Sequence, residues 1–169
     1  MNLIEIKELA YIELEKWGLI EKGWNFTFNR AIGYAGFCNP KLKEIQLSKP
    51  ISLVETDLFI LDTIRHEIAH ALVGCHNQHN HIWKRKALEV GCSTNAVTYK
   101  ESKAIQDVRL TKTKYVMCYD GKIVQAYMRK PAAKTFANIG TFWATHRKAE
   151  TEGKLYIEVY NPAVHTEFI

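Results

Sequence analysis

Long apolar runs are missing from this chain: no stretch of about 18 apolar residues occurs, so no membrane-spanning helix is expected. Cysteine is scarce as well. The four that occur, Cys38, Cys75, Cys92 and Cys118, show no CxxC pairing and are too few for a disulfide scaffold, which points to a reducing compartment. The opening MNLIEIKELAYIELEKWG alternates apolar with acidic residues, the wrong texture for a secretory signal, and a cytoplasmic location with no membrane partner is expected. Repeats and low-complexity tracts are absent. What is present is enough apolar material, 47% of 169 residues, to bury the core of one domain or of a domain and a small module.

Charge is unevenly placed. Residues 1–91 carry 11 basic and 11 acidic side chains, whereas residues 92–169 carry 12 and 7, which is the whole of the +5 net charge. A polyanionic partner, if there is one, is expected to meet the C-terminal half.

The patterning gives an α+β layout. Asn2 is placed to cap a helix with Leu3, Ile6, Leu9, Ala10 and Trp17 at helical spacing, ending at Gly18. Residues 24–29 alternate Trp24, Phe26 and Phe28 with polar residues, the period of a half-buried strand. Residues 32–37 and 44–47 read as two more strands, joined by a turn at Asn39 and Pro40, and a small three-stranded antiparallel sheet is expected. Ser52 to Glu55 has capping-box spacing and opens a helix whose stripe runs Val54, Leu58, Leu61, Ile64, Ile68 and Leu72 to Gly74. Asn80 can cap a further helix, with Trp83, Ala87 and Leu88 on one face and Gly91 at its end. After a weakly patterned stretch, 92–113, two strand-like runs flank the hairpin dipeptide Asp120-Gly121, and KLYIEVY reads as another strand. The expected division is a domain over 1–110 and a small β-rich module over 111–169.

The chemistry is concentrated in HEIAHALVGCHNQHNHIW. His66 and His70 are four apart on the strongest helix, so their rings leave the same face one turn apart and can reach one ion. Zinc accepts neutral imidazole nitrogens, and a catalytic zinc keeps three protein ligands with a fourth position for water. Glu67, beside the first histidine, is placed to take a proton from that water. The ion lowers the pKa of the water toward neutrality, so HExxH encodes activation of water for attack on a carbonyl. A third ligand must come from downstream. His76, His79 and His81 compete for it, and the metzincin spacing fails because Gly74 falls one residue late. Glu89 reads more simply as a solvated helix residue. For stabilising an oxyanion, His76, His81, Arg65 and Tyr34 carry no signal that separates one from another.

The stretch DTIRHEIAHALVGCHNQHNHIWKRKALEVGC closely resembles the core of the SprT-like zinc metalloproteases, whose pattern is HExxH, a short loop, then His-Gly-x-x-Trp or Phe opening a helix. Four residues before Trp83 stands His79, with Asn80 where the family usually has Gly, so the resemblance makes His79 the third ligand beside His66 and His70, with Glu67 as general base and one Zn2+ per chain. Upstream, WNFTFNRAIGYAGFCNPKLKEIQLSKPI resembles the strand segment of the family, and the likeness covers roughly residues 20–95. It implies a minimal gluzincin-like domain of helices on a small antiparallel sheet, with an edge strand that binds an extended protein or peptide substrate.

The C-terminal module departs from the family. Many relatives carry a zinc ribbon of two CxxC-type knuckles, whereas here Cys118 stands alone and TFWATHRKAETEGKL has no cysteine. Cys118 and His146 would supply at most two of the four ligands a structural zinc needs. A ribbon-like fold without metal is expected, held by Tyr115, Val116, Tyr127, Phe136, Phe142, Trp143, Leu155, Ile157 and Val159. Lys112, Lys114, Lys122, Arg129, Lys130, Lys134, Arg147 and Lys148 are interleaved here with Tyr127, Phe142 and Trp143. Cations neutralise phosphates and aromatic rings stack on unpaired bases. The family acts on proteins bound or crosslinked to DNA, so the resemblance makes DNA a coherent partner, single-stranded rather than duplex given the aromatic rings; the same residues also read as a basic solvated surface over an aromatic core. The sequence leaves two other readings open: a non-catalytic nucleic-acid-binding protein with a structural or vestigial zinc site, and a small-amide hydrolase, which would need an enclosed pocket.

Overall fold

The computed structural model describes residues 1–94, 102–144 and 147–169; the stretch 95–101, inside the weakly patterned region, lies outside the described residues, as does His146. The chain separates into two compact units, Met1–Ile105 and Gln106–Ile169. No helix among the described residues is long and apolar enough to cross a membrane.

The first unit begins with α1 (Leu3–Lys16). Asn2 caps it through a full capping box, its side chain accepting from the amides of Ile4 and Glu5 while Glu5 accepts from the amide of Asn2. Its inner face buries Ile6, Ala10 and Leu14, with Leu3, Leu9 and Trp17 packed around them. Three strands follow: β1 (Asn25–Asn29), β2 (Gly36–Asn39) and β3 (Glu44–Ser48). Their spatial order is β1-β3-β2. The hairpin pair β2 and β3 is antiparallel, but β1 runs parallel to β3, so the expected all-antiparallel sheet is corrected to a mixed one. Alternation within a strand reports which face is buried and says nothing about strand order, which is why the insertion of β3 between β1 and β2 was not legible. This order leaves β2 at one edge.

Ser48 caps the short helix α2 (Lys49–Ser52), and helix α3 (Asp57–Val73), which carries HExxH, starts later than its spacing suggested. Thr56, whose hydroxyl accepts from the amide of Phe59 at 3.2 Å, is its cap in place of Ser52. Val54 and Leu58 are consequently exposed, while Ile60, Ile64 and Ile68 form the buried line. Each of these isoleucines contributes about 1.5–3 kcal/mol by leaving water. A 3₁₀ turn at Cys75–Asn77 leads to α4 (His81–Val90), capped by Asn80 and closed by Gly91 in the left-handed region. Trp83, Ala87 and Val90 are buried on α4, whereas Leu88, expected on the inner face, is exposed. Arg65 of α3 makes a two-pronged bridge to Glu13 of α1, at 2.8 and 3.2 Å, and donates to the carbonyl of Gly91 at 3.3 Å.

Helix α5 (Lys103–Leu110) leads into the second unit. Strands β4 (Tyr115–Tyr119) and β5 (Lys122–Tyr127) form a hairpin across Asp120 and Gly121, both with positive φ as a primed turn requires. Short helices α6 (Ala133–Ala137) and α7 (Lys148–Thr151) precede β6 (Tyr156–Val159), which pairs antiparallel with the other side of β4. Val116, Cys118 and Ile123 form the buried centre, with Leu110, Tyr160 and Phe168 packed on it. Of the residues expected to hold this unit, Phe136, Trp143 and Val159 are exposed.

Candidate metal centre

Two segments build the centre. Along α3, His66 and His70 share a face one turn apart. The helix then stops at Gly74, whose φ of 88° suits glycine, and a side chain there would also run into the ring of His76. The chain turns back through the 3₁₀ segment, and Asn80 starts α4 by accepting from the amides of Ile82 and Trp83 at 2.9 and 3.2 Å. His79, just ahead of that cap, is thereby returned to the face of α3.

The three Nε2 atoms form a triangle, with edges of 3.3 Å from His66 to His70, 3.2 Å from His70 to His79 and 3.1 Å from His79 to His66. A tetrahedral zinc with bonds of 2.0–2.1 Å sets its donors about 3.3 Å apart. The donor set therefore fits such an ion in type, number and spacing. Burial, followed by the mutual repulsion of the rings, pushes the pKa of His66 and of His70 down to about 4, and burial lowers His79 in the same way. At neutral pH each ring has a lone pair to offer. Beneath the triangle lies fully buried Trp83, its ring 4.7, 5.3 and 4.6 Å from those of His66, His70 and His79.

Glu67 points toward Gly36 of β2 and is only 7% exposed. Burial raises its pKa to about 8, opposed by a hydrogen bond from the backbone of Cys38. The remaining sequence candidates are elsewhere. His76 and His81 are exposed and stand outside the triangle, and Glu89 is exposed and paired with Lys86. Arg65 is committed to Glu13 and Gly91, and Tyr34 is exposed against Phe37. Sequence reasoning missed Gly36, Cys38 and Thr63 as close neighbours of Glu67. The available signal was a glycine within a strand, which often marks a close backbone approach.

A second group of potential donors lies in the C-terminal unit, where ligand atoms of Cys118, Glu158 and His165 are within 4.8 Å of one another. These atoms are occupied with each other. Nδ1 of His165 accepts from the amide of Asn161 at 2.8 Å, so Nε2 carries the hydrogen and donates to Glu158 at 2.7 Å. A ligating nitrogen needs the lone pair that this tautomer lacks. Burial and then the charge of Glu158 raise the Cys118 thiol to about 11, keeping it protonated.

The eight cationic candidates Lys112, Lys114, Lys122, Arg129, Lys130, Lys134, Arg147 and Lys148 are all exposed. Lys122 pairs with Glu167, Arg147 with Glu150 and Lys148 with Glu152, and the Lys148 ammonium also stands 4.3 Å from the centre of the Trp143 ring.

The model of the SprT-like family matches residues 8–104, more than half of the chain. No curated protein matches it.

Proposed function

Because the chain belongs to the SprT-like family, whose members carry a metalloprotease-like domain, we propose that it is a zinc-dependent endopeptidase with one Zn2+ per chain on His66, His70 and His79. The observation that carries this reading is the Nε2 triangle, whose 3.1–3.3 Å edges suit a tetrahedral ion that keeps one open position. When bound, zinc would supply Lewis acidity, lowering the pKa of a water and polarising the scissile carbonyl. Glu67 is the general base of this proposal. Its carboxylate takes a proton from the attacking water, and as the C–N bond breaks it returns that proton to the leaving amine nitrogen. Edge strand β2, beside Glu67, supports an open groove that pairs with an extended peptide, rather than the enclosed pocket of a small-amide hydrolase.

The test is metal analysis of protein purified without added zinc, paired with cleavage of casein and of the protein itself. One zinc per chain, reduced in His79→Ala, with cleavage abolished in zinc-loaded Glu67→Gln, is the expected result. Zinc retention with no cleavage of any protein would favour the non-catalytic reading.

The same proposal includes recruitment to single-stranded DNA through the C-terminal unit. Its support is the exposed set Lys112, Lys114, Arg129, Lys130 and Lys134, none with an acidic partner among the described residues, near aromatic Trp143 and Tyr127 in sequence. Binding of an oligothymidylate that weakens steeply with salt is expected. An absence of binding at low salt would sink this part of the proposal.

A further inference from the structure

Strand β2 passes so close over Glu67 that only glycine fits at position 36. A Cβ built there would lie 2.7 Å from Oε1 and 2.9 Å from Cγ of Glu67, and 2.7 Å from Cγ2 of Thr63, where ordinary contacts begin at 3.4 Å. Gly36 does not occupy the left-handed region, so its backbone conformation is open to other residues and space alone selects glycine. Two residues along the strand, the backbone of Cys38 is near enough to the Glu67 carboxylate to favour its charged form.

We propose that Gly36 is a positioning residue for Glu67: the missing side chain lets β2 close on the carboxylate, so that the strand's backbone holds the base in one place. This rests on the reading of Glu67 as the general base.

Which group yields to an added methyl follows from how each is held. Thr63 is β-branched on a helix, and its hydroxyl donates to the carbonyl of Phe59 at 2.8 Å, so its methyl is pinned. Helix α3 is anchored by fully buried Ile64 and Ile68. The pinned Thr63 methyl, also 2.7 Å from the added Cβ, pushes β2 outward, and Glu67, the one contacted side chain with rotamer freedom, shifts its carboxylate to clear the rest of the 0.7 Å separating 2.7 from 3.4 Å. None of the three atoms nearest the added Cβ belongs to a histidine of the triangle, and zinc is expected to stay.

The experiment uses the full chain. Gly36→Ala is expected to keep one zinc per chain and to melt a few degrees lower. With casein as the probe, its kcat should fall by about 100-fold, the usual consequence of misplacing a catalytic group by about 1 Å, with KM changed less than about threefold. The double variant Gly36→Ala with Thr63→Ser, which frees space on the flank of α3, should regain about tenfold of that loss. A second readout needs no cleavage. Glu67→Ala deletes both contacted glutamate atoms, so in that background Gly36→Ala should cost no more than about half the melting shift seen in the parent. Additive shifts, full activity in Gly36→Ala, or loss of zinc in both Gly36 variants would each overturn the proposal. If the parent cleaves nothing, the endopeptidase reading fails, and the melting cycle still judges whether Gly36 sets the place of Glu67.

Discussion

In the candidate metal centre, burial holds the Glu67 carboxyl well above its ordinary pKa. In the unfolded chain its carboxyl titrates near the ordinary 4.5, whereas in the fold burial lifts it to about 8. Between these values the folded state holds a proton that the unfolded state has released, so the stability of the metal-free protein falls as pH rises through that window and levels off above it. The loss is on the order of 5 kcal/mol at most. A bound cation would reverse the balance by favouring the carboxylate. Glu67→Gln removes the titration while keeping the shape. In EDTA, urea unfolding of Glu67→Gln and of the parent should therefore nearly coincide at pH 4.5, with the variant becoming the more stable by pH 9. His66 and His70 act in the opposite sense, losing stability as pH falls through 6.5 toward 4, but they are common to both proteins and cancel in the difference. Parallel curves would mean that burial does not keep Glu67 protonated.

Between elements, the decisive contact is the bridge from Arg65 on α3 to Glu13 on α1, whose glutamate is 5% exposed. Removing only the cation strands a buried carboxylate. Arg65→Met is expected to cost about 3 kcal/mol, and Glu13→Gln added to it should recover much of that, since a neutral amide tolerates burial better than an unpaired charge. Urea midpoints of the two variants check this, and a double variant weaker than the single one would contradict it. Glu13 also shows why some of the layout was legible and some was not. The caps Asn2 and Asn80, the stops at Gly18 and Gly91, and the Asp120-Gly121 turn act within a few residues, and each sits where its spacing put it. HExxH is local in the same way, because a four-residue step on a helix fixes which rings converge. Ser52 misled, since Thr56 offered an equally good hydroxyl four residues later and the core chose between them. The Glu13–Arg65 bridge, the parallel pairing of β1 with β3, and the approach of Gly36 to Glu67 join residues far apart in sequence, and no local pattern encodes such pairs.

At the scale of the whole molecule, each unit has its own buried centre, one around Ile64, Ile68 and Trp83 and one around Val116, Cys118 and Ile123. The fitting donor set belongs entirely to the first, while in the second His165 and Glu158 are spent on each other and burial keeps the Cys118 thiol protonated. With zinc on the His66, His70 and His79 triangle as proposed, metal linkage acts on one unit. A ligand that binds only the folded state adds about 4 kcal/mol at a thousandfold excess over its Kd, so chelation should lower the melting of residues 1–105 by several degrees or more. Residues 106–169 should melt at the same temperature with and without chelator. Calorimetry of the full chain, with tryptophan emission as a second probe, separates the cases: Trp83 reports residues 1–105 and Trp143 the other unit, each as the sole tryptophan after replacement of the rest. A Trp143 signal that moved with chelator would place a metal in the second unit, or join the two units into one cooperative block. An unmoved Trp83 signal would remove the ion from the His66, His70 and His79 triangle altogether.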